Sequence, residues 1–305
     1  MLLYAIASYQ YLADELLSHH NFEQGLIERK IFPDGELYHR IIDDVADKEV
    51  ALIAGTPTDY DLVELYDLAT ALVMGGCRRL QIIIPYFGYS TMERSVKSGE
   101  IVKAKNRANI LSALPHGNKP IEFTLLDLHA EGIPYYFQLP IAPHHLYCKQ
   151  VVLEAATSLG GKNFVLASTD SGRAKWIESL AKDMEIEAAF VYKRRLSGKE
   201  TQVTGINADV SGKTVVIYDD MIRTGGSLLK AAKAYQEYGA KDIFAVCTHA
   251  ILPDNSLDIL QSSGLIKKII ATNTHPRSII LKNSFLEIRS VASIIKAHLL
   301  KGQSR

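Results

Sequence analysis

The sequence predicts an α/β protein with two domains, each a mostly parallel sheet flanked by helices. Apolar runs rich in β-branched residues alternate with segments of helical periodicity, and such alternation is typical of βαβ units whose sheet is covered on both faces. The length of 305 residues, of which 47% are hydrophobic, allows two hydrophobic cores. A proline-bearing segment at 138–145 separates two stretches of similar pattern, which places the boundary between domains 1–142 and 143–305.

The predicted strands are short apolar runs that end at polar or turn-forming residues. The N-terminal run, Met1–Ser8, lacks the basic leader and the length of a signal peptide, so it fits a first strand. The strands after it are Val50–Ala54, Leu80–Pro85, Glu122–Leu126, Asn163–Ala167, Ile186–Val191, Thr214–Tyr218, Asp242–Cys247 and Lys267–Ala271.

The predicted helices are segments in which apolar residues recur at three- and four-residue spacing. They are Asp61–Met74, Val102–Ala113, Gly172–Met184, Ser227–Tyr238 and Ser256–Ser262. No apolar run approaches the roughly 18 residues that a membrane-spanning helix needs. We therefore expect neither export nor insertion into a membrane.

Charge and cysteine content exclude several classes of protein. The 34 basic and 34 acidic residues cancel, so the sequence predicts neither a nucleic-acid surface nor a membrane-binding patch. The three cysteines, Cys77, Cys148 and Cys247, are widely spaced in apolar or helical contexts. This predicts reduced structural cysteines, not metal ligands, in a cytoplasmic protein.

The segment Lys213–Leu228 carries the most specific chemistry in the chain. A β-branched apolar run meets the adjacent carboxylates Asp219 and Asp220, and a small-residue turn then opens into a helix. The turn consists of Arg223, Thr224, Gly225, Gly226 and Ser227. Its backbone N–H groups and two hydroxyls would converge at the positive end of the helix, which suits a phosphate monoester, while the carboxylates can reach ribose hydroxyls or Mg²⁺. The segment predicts a site for a phosphorylated sugar; the alternative is an ordinary strand–turn–helix connection.

This segment resembles the phosphoribosyl-pyrophosphate loop of type I phosphoribosyltransferases and of ribose-phosphate pyrophosphokinases. Four further segments resemble signatures of the pyrophosphokinases, in the order and spacing of that family: Phe32–Ile41, Ile84–Tyr89, Leu126–Glu131 and Tyr192–Arg195. Simple phosphoribosyltransferases lack this set. The resemblance covers nearly the whole chain, and the sequence is identified as a divergent member of the ribose-phosphate pyrophosphokinase family.

The resemblance implies two domains of type I phosphoribosyltransferase-like fold with an active site between them. It implies Mg²⁺-dependent attack of the anomeric hydroxyl of ribose 5-phosphate on the β-phosphorus of ATP, giving phosphoribosyl pyrophosphate and AMP. The second domain alone keeps the acidic pair and the glycine turn, so ribose phosphate would bind there. The first domain would supply the ATP contacts.

Two cations are assigned by the resemblance to the chemical step. Lys193 and Arg195 would stabilise the transferring diphosphoryl group, and they alternate along a predicted extended segment before a polar loop that can close over the phosphates. The alternative is a set of solvated cations at the end of a strand.

The metal ligands implied by the resemblance are His129 and Asp170, and His129 would also meet the phosphates of ATP. Each follows a predicted strand. A carboxylate oxygen suits Mg²⁺ better than an imidazole does, so Asp170 is the stronger candidate. A lone histidine in such a position is otherwise a structural residue.

Phe32, Asp34 and Glu36 belong to a Pro-Asp-Gly turn that leads into a strand, which is by itself a plain β-turn signal. In the resembled family this loop reaches the ATP site of a neighbouring subunit, where the aromatic ring stacks on adenine. The resemblance therefore implies a homo-oligomer, a dimer or larger.

The sequence departs from the family at one ATP-binding segment. Thr91 and Met92 stand where the family has an arginine and a glutamine that contact ATP. Arg94 is the candidate replacement, and other cations that could take this part are Lys97, Lys103 and Lys105.

A second departure lies in the phosphate loop, where Arg223 stands in place of the usual aspartate. An arginine fork can bind two phosphate oxygens, so a larger acceptor such as ADP-ribose is an alternative to ribose 5-phosphate. Two further alternatives are a non-catalytic regulatory homologue, which the lost arginine and glutamine favour, and a phosphoribosyltransferase, which the Tyr192–Arg195 segment disfavours.

Overall fold

A computed structural model describes residues 1–18, 20–115, 121–170, 172, 174–195 and 201–301. For residues 193–195 and 201–204 it describes the backbone alone. The chain divides into two compact units. The first comprises Met1–Tyr147 and the C-terminal helix, and the second is Cys148–Val291. The contacts thus set the first break after Tyr147 and assign the last helix to the first unit.

Sixteen strands lie within the described residues. They are β1 (Leu2–Ala5), β2 (Glu23–Gln24), β3 (Ile27–Ile31), β4 (Leu37–Ile41), β5 (Glu49–Ile53), β6 (Arg79–Ile84), β7 (Ile121–Leu126), β8 (His144–Leu146), β9 (Phe164–Ser168), β10 (Glu187–Ala189), β11 (Val191–Arg195), β12 (Thr201–Ile206), β13 (Thr214–Ile222), β14 (Asp242–Ala250), β15 (Ile269–Thr272) and β16 (Leu286–Arg289).

Nine α-helices lie in the same part of the chain. They are α1 (Gln10–Leu17), α2 (Asp59–Met74), α3 (Lys103–Ser112), α4 (Lys149–Gly160), α5 (Ala174–Asp183), α6 (Gly226–Glu237), α7 (Ser256–Ser262), α8 (Arg277–Leu281) and α9 (Ala292–Lys301). None of the described helices is long and apolar enough to cross a membrane.

The predicted fold class is confirmed, because each unit contains a six-stranded parallel sheet flanked by helices. The strand order is β2-β1-β5-β6-β7-β8 in the first unit and β10-β9-β13-β14-β15-β16 in the second. Two antiparallel hairpins, β3–β4 and β11–β12, stand outside these sheets. Parallel strands bring their carboxyl ends to one edge, so each unit has one edge at which ligand-binding loops can collect.

In the second unit, alternate residues of the central strand pack into different hydrophobic cores. Val215 and Ile217 of β13 pack on the side of α6 and α7, whereas Val216 and Tyr218 pack on the side of α4 and α5. The strand is thus covered on both faces, as its continuous apolar run predicted. All three cysteines are buried and free of disulfides.

The C-terminal helix α9 packs in the first unit, where it contacts α1. His298 of α9 lies with its Nε2 atom 2.8 Å from Thr124 Oγ1 of β7. Its ring also stacks on that of His144, with 5.0 Å between the ring centroids. Burial lowers the pKa of His298, and the neighbouring His144 lowers it further.

Candidate active site

The acidic pair lies within the last part of β13, because this strand continues to Ile222, beyond its predicted end at Tyr218. Asp220 is buried and Asp219 is partly buried. Asp219 Oδ2 accepts a hydrogen bond of 3.1 Å from Thr169 Oγ1, and Asp219 Oδ1 accepts one of 3.0 Å from the Asp220 N–H. Because Thr169 follows β9, which pairs with β13 in parallel, two strand ends are joined at the acidic pair.

Asp170, the predicted metal ligand, lies one residue further along the same strand end. Its Oδ1 atom accepts a hydrogen bond of 2.9 Å from the Gly172 N–H. Neighbouring parallel strands therefore bring Asp170, Asp219 and Asp220 to the same edge of the sheet. Cys247 of β14 pairs with Asp219; burial, and then the two carboxylates, raise the pKa of the Cys247 thiol. The cysteine is therefore a neutral packing residue here.

The turn after β13 exposes its polar groups to solvent. Gly225 adopts the left-handed conformation with φ of 77°, and a Cβ atom there would lie 2.8 Å from the Leu260 side chain. The helix α6 then begins at Gly226, one residue before the predicted start. Arg223, Thr224, Gly226 and Ser227 are exposed. Because the first N–H groups of a helix have no partner within it, this turn presents the donor-rich concavity that a phosphate requires.

Lys193 and Arg195 lie on β11, which pairs antiparallel with β12. Their side chains lie outside the described part of the structure, so the geometry of these two cations stays a prediction. The register of the hairpin shifts between Tyr192 and Lys193.

The described residues include no group of three or more histidine, cysteine, aspartate or glutamate side chains close enough together to hold a metal ion. Mg²⁺ keeps several waters and is usually bound by one or two carboxylates together with substrate phosphates. Asp170, Asp219 and Asp220 supply hard oxygen donors of that kind at one sheet edge.

In the first unit, two predicted ATP-binding residues follow neighbouring strands. His129 comes three residues after β7 and is partly buried. Arg94 follows β6; its side chain is 78% exposed, and its Nε atom lies 3.4 Å from Glu93 Oε1. The strands β6 and β7 pair in parallel, so His129 lies near the carboxyl edge of the sheet, whereas Arg94 lies ten residues beyond the end of β6.

Close backbone packing fixes the turn after β6. The Gly88 N–H donates to Thr56 Oγ1 at 2.9 Å, and a Cβ atom on Gly88 would lie 1.9 Å from the Thr56 carbonyl oxygen. The next residue, Tyr89, has a positive φ of 60°. Only glycine fits at position 88, which explains this part of the Ile84–Tyr89 signature.

Two cations of α3 lie over the Tyr89 ring, Lys103 Nζ at 4.8 Å and Arg107 Cζ at 4.6 Å from its centroid. Arg107 also donates to Asp59 Oδ1 at 2.6 Å. Its hydrogen bond lowers the pKa of Asp59. Lys103 is one of the cations that could replace the missing arginine and glutamine. The contact with Tyr89 holds it close in the structure to the segment that contains Thr91 and Met92.

Phe32, Asp34 and Glu36 lie at the tip of the β3–β4 hairpin and are all exposed. Gly35 has a φ of 92°, and the Glu36 N–H donates to Asp34 Oδ1 at 3.1 Å. The Phe32 ring lies edge-on to Tyr38, with 6.1 Å between centroids. The predicted turn is present, and its aromatic and acidic side chains are accessible.

A Gly-Lys-Thr triplet lies before β13 and is distinct from the phosphate loop that follows this strand. Gly212, Lys213 and Thr214 spell the Gly-Lys-Thr end of a P-loop, but they lead into β13, whereas a P-loop follows its strand. Asn207 also stands where that motif has its first glycine. This triplet therefore carries no nucleotide-binding prediction.

Sequence reasoning missed the residues that hold the candidate site in place. Thr169 supports Asp219, and Arg107 joins Asp59 to the Tyr89 ring. Glu64, a helical carboxylate in an apolar segment, is buried against Arg29 of the hairpin. In the sequence, the place of Glu64 between Val63 and Leu65 in a helical segment was the one available signal, because a charge that is buried with its apolar neighbours needs a partner.

Two family models match most of the chain. Residues 1–114 match the model of the N-terminal domain of ribose phosphate pyrophosphokinase, and residues 162–299 match the phosphoribosyl synthetase-associated domain. The chain is 34% identical over 269 residues to a ribose-phosphate pyrophosphokinase of Ralstonia nicotianae, with 87% of this chain and 83% of the relative covered.

It is also 33% identical over 291 residues to the chloroplastic ribose-phosphate pyrophosphokinase 2 of Arabidopsis thaliana, covering 93% of this chain and 70% of the relative. The crystal structure of phosphoribosylpyrophosphate synthetase from Mycobacterium smegmatis superposes with a TM-score of 0.85, at 27% identity and 99% coverage of both chains. This chain therefore belongs to the ribose-phosphate pyrophosphokinase family.

Proposed function

We propose that this chain is a ribose-phosphate diphosphokinase that makes phosphoribosyl pyrophosphate and AMP from ribose 5-phosphate and ATP. The observation that carries the proposal is the edge of the second sheet, where the acidic pair of β13 lies beside Thr169 and Asp170 and is followed by the glycine turn before α6. Carboxylates and a turn rich in N–H donors are thus close together in the chain, which supports binding of a sugar phosphate here. The relatives named above carry the same activity in their names.

The acceptor binds at this edge. Its 5-phosphate lies in the turn formed by Arg223, Thr224, Gly225, Gly226 and Ser227, where N–H groups at the start of α6 meet the charge. Asp219 and Asp220 accept hydrogen bonds from the ribose hydroxyls. The anomeric hydroxyl is thereby left to attack.

In the reaction the anomeric oxygen forms a bond to the β-phosphorus of ATP, and the bond between that phosphorus and the bridging oxygen of the α-phosphate breaks. AMP leaves, and the hydroxyl proton is released to solvent. In this proposal Lys193 and Arg195 meet the negative charge of the diphosphoryl group as it transfers.

The donor nucleotide is proposed to bind through the first unit. Phe32 stacks on the adenine ring, and Asp34 and Glu36 accept hydrogen bonds from its amino group. His129 and Arg94 contact the phosphates. The exposure of all three side chains at the hairpin tip supports this assignment.

The proposed cofactor is Mg²⁺, which Asp170 would hold together with substrate oxygens; His129 is the proposed metal ligand of the first unit. When bound, Mg²⁺ neutralises charge on the phosphates. The carboxylate oxygens at the edge of the second sheet suit this ion, as described above.

A homo-oligomer and a cytoplasmic location belong to the same proposal. The accessible hairpin tip supports a site shared between subunits, and three buried cysteines without disulfides suit a reducing compartment.

Mixing inactive Asp34→Ala protein with inactive Lys193→Ala protein tests the shared site, because hybrid oligomers should regain activity. No recovery despite demonstrated subunit exchange would count against it.

The deciding experiment supplies ATP and Mg²⁺ with either ribose 5-phosphate or ADP-ribose and measures AMP and the product. We expect AMP release with ribose 5-phosphate. Turnover of ADP-ribose alone would move the activity to the larger acceptor, and no AMP with either acceptor would indicate a non-catalytic homologue. The names of the relatives favour neither alternative.

A further inference from the structure

The β3–β4 hairpin is tied to the rest of the first unit by side chains. Its two strands pair only with each other among the described strands. A cleft of about 310 Å³ opens at the surface between β4 and α2, lined in part by Leu37, His39 and Val63, and the two elements also contact each other. Polar contacts at this junction therefore add to the packing that sets the direction in which the hairpin points.

One buried carboxylate lies at this junction. Glu64 of α2 is 2% exposed. Its two carboxylate oxygens accept hydrogen bonds from the Ala7 N–H, at 3.1 and 3.2 Å. Oε1 also lies 3.1 Å from Arg29 Nε and 3.8 Å from His39 Nε2. The carboxylate thus joins three segments of the chain, the start of the helical turn after β1, the hairpin and α2.

The two hairpin groups that meet Glu64 are matched by the strand register. Arg29 of β3 lies directly opposite His39 of β4, so both side chains project from the same face of the hairpin. Arg29 uses a second nitrogen, Nη2, to donate to the Ala5 carbonyl oxygen at 2.7 Å. Its guanidinium therefore spans the end of β1 and the buried carboxylate at once.

A separate contact fixes the base of the hairpin. Asp43 Oδ2 accepts hydrogen bonds from Tyr4 Oη at 2.8 Å and from the Leu26 N–H at 2.6 Å. With the base held there, the contact at Arg29 sets the tilt of the outer half. Phe32 follows only three residues later, about 10 Å along an extended strand, so a change of tilt moves the tip directly.

The opposite face of the same hairpin carries exposed charges. Glu28 pairs with Lys30 at 2.6 Å and with Arg40 at 3.6 Å, and the side chains of both cations are more than half exposed. Exposed pairs of this kind contribute little to stability. The Arg29–Glu64 pair differs, because its carboxylate is buried while the Arg29 side chain is 31% exposed. Removing Arg29 therefore weakens the compensation of a buried charge.

We propose that Glu64 is a positioning residue for the nucleotide site, acting through Arg29 and His39 to hold the hairpin at the angle that presents Phe32, Asp34 and Glu36 to ATP. This inference rests on the proposed function, since it takes the hairpin tip as the adenine-binding element. It adds a residue that does not touch substrate and lies on a different element from the tip.

The test compares Arg29→Ala with Arg40→Ala, the same substitution on opposite faces of one hairpin. Arg29→Ala should raise the KM for ATP about tenfold or more, because a charge-assisted hydrogen bond to a buried group is lost. The KM of Arg29→Ala for ribose 5-phosphate should stay within about twofold of the parent value. In Arg40→Ala the KM for ATP and the KM for ribose 5-phosphate should both stay within about twofold of the parent values. Glu64→Gln, which keeps the volume and one acceptor oxygen, should reproduce the effect of Arg29→Ala.

Amide hydrogen exchange over residues 27–41 supplies a readout independent of catalysis. Exchange should accelerate in Arg29→Ala and Glu64→Gln and stay unchanged in Arg40→Ala. Arg29→Lys, which keeps the charge but not the two-armed geometry, should fall between the parent and Arg29→Ala in both readouts. This variant also provides the comparison if Arg29→Ala proves too unstable to purify.

Equal effects of Arg29→Ala and Arg40→Ala, or equal rises in both Michaelis constants, would overturn the proposal. If the parent enzyme releases no AMP, the proposed function fails, yet the positioning role remains testable by hydrogen exchange and by direct titration with ATP. In that case unchanged exchange and unchanged ATP affinity in Arg29→Ala would dispose of the positioning role as well.

Discussion

Thr169 Oγ1 donates a 3.1 Å hydrogen bond to Asp219 Oδ2, so the end of β9 orients a carboxylate on β13. A second bond, from the Asp220 N–H, reaches the other oxygen of the same carboxylate. The orientation of Asp219 is therefore set from two directions before any ligand binds. A fixed orientation of Asp219 favours the contact with ribose hydroxyls that we propose for it.

We predict that Thr169→Val raises the KM for ribose 5-phosphate several-fold and lowers the free energy of unfolding by about 1–2 kcal/mol, because Asp219 loses one of its donors. Steady-state kinetics and urea unfolding measure the two effects. Thr169→Ser keeps the hydroxyl and is the matched control. A normal KM in Thr169→Val would mean that the bond from Thr169 does not orient Asp219 for binding.

Gly225→Ala is expected to destabilise the protein by about 1–3 kcal/mol, since alanine at a φ of 77° is strained and its Cβ atom meets Leu260 at 2.8 Å. Gly226→Ala is the control, because a Cβ atom there has Thr224 Oγ1 as its nearest neighbour, at 3.9 Å. Thermal or urea unfolding of both variants checks this difference. Equal stability of the two would contradict the strain argument.

Lys193→Ala and Arg195→Ala should lower kcat by about a hundredfold or more and leave the affinity for ribose 5-phosphate nearly intact, because these cations meet charge mainly in the transition state. Arg194→Ala, the residue between them on β11, should have a much smaller effect. Initial rates at saturating substrates give kcat. A raised KM with normal kcat would assign the two residues to ground-state binding instead.

Arg223→Ala should raise the KM for ribose 5-phosphate about tenfold with little change in kcat, because a charge-assisted bond to the 5-phosphate is removed. Lys230→Ala removes an exposed cation further along α6 and is the control. Arg223→Asp, measured with ribose 5-phosphate and ADP-ribose, then tests acceptor choice. Selective loss of ADP-ribose turnover would show that Arg223 serves a second phosphate, and equal loss with both acceptors would show that it does not select.

Acid should destabilise the second unit through His275. Burial, followed by His249 and Arg277, lowers the pKa of His275 from 6.5 to about 4. The unfolded chain takes up a proton at this residue below about pH 6.5, whereas the folded protein does so only near pH 4. The free energy of unfolding therefore falls as the pH drops between these values, by at most about 3 kcal/mol from this group.

The corresponding variant is His275→Gln, which should reduce the loss of stability between pH 6.5 and pH 4. Urea unfolding at several pH values measures it, and substitution of the exposed His20 by glutamine is the control. Parallel stability curves for His275→Gln and the parent would contradict the assignment. The backbone N–H of Arg277 also donates to His275 Nδ1 at 3.2 Å, a contact in which this ring nitrogen carries no proton.

The sequence predicted the parts of this protein that depend on local pattern. The parallel sheets follow from alternating segments, and the turn from Arg223 to Ser227 follows from residues adjacent in the chain. The strand β13 was predicted to end before the acidic pair, because acidic residues disfavour strands. In the structure it is longer, because Met221 pairs with His249 of β14. Only tertiary pairing could have indicated that extension.

The supporting contacts were not predictable for a related reason. Arg29 and Glu64 are separated by 35 positions, and Thr169 and Asp219 by 50. Nothing in the local sequence of Glu64 names its partner, because the same glutamate on a less buried helix face would be solvated. The roles of Lys193 and Arg195 remain a prediction from the sequence.

The return of α9 to the first unit constrains the order in which the protein can be completed during synthesis. His298 contacts Thr124 and His144, so the packing of the first sheet includes a helix that is synthesised only after the whole of the second unit. The second unit, whose residues are contiguous, has all of its chain available earlier. A nascent chain arrested before α9 would therefore contain every residue of the second unit but not every residue of the first, whereas in ordinary vectorial folding the N-terminal unit is the first to be complete.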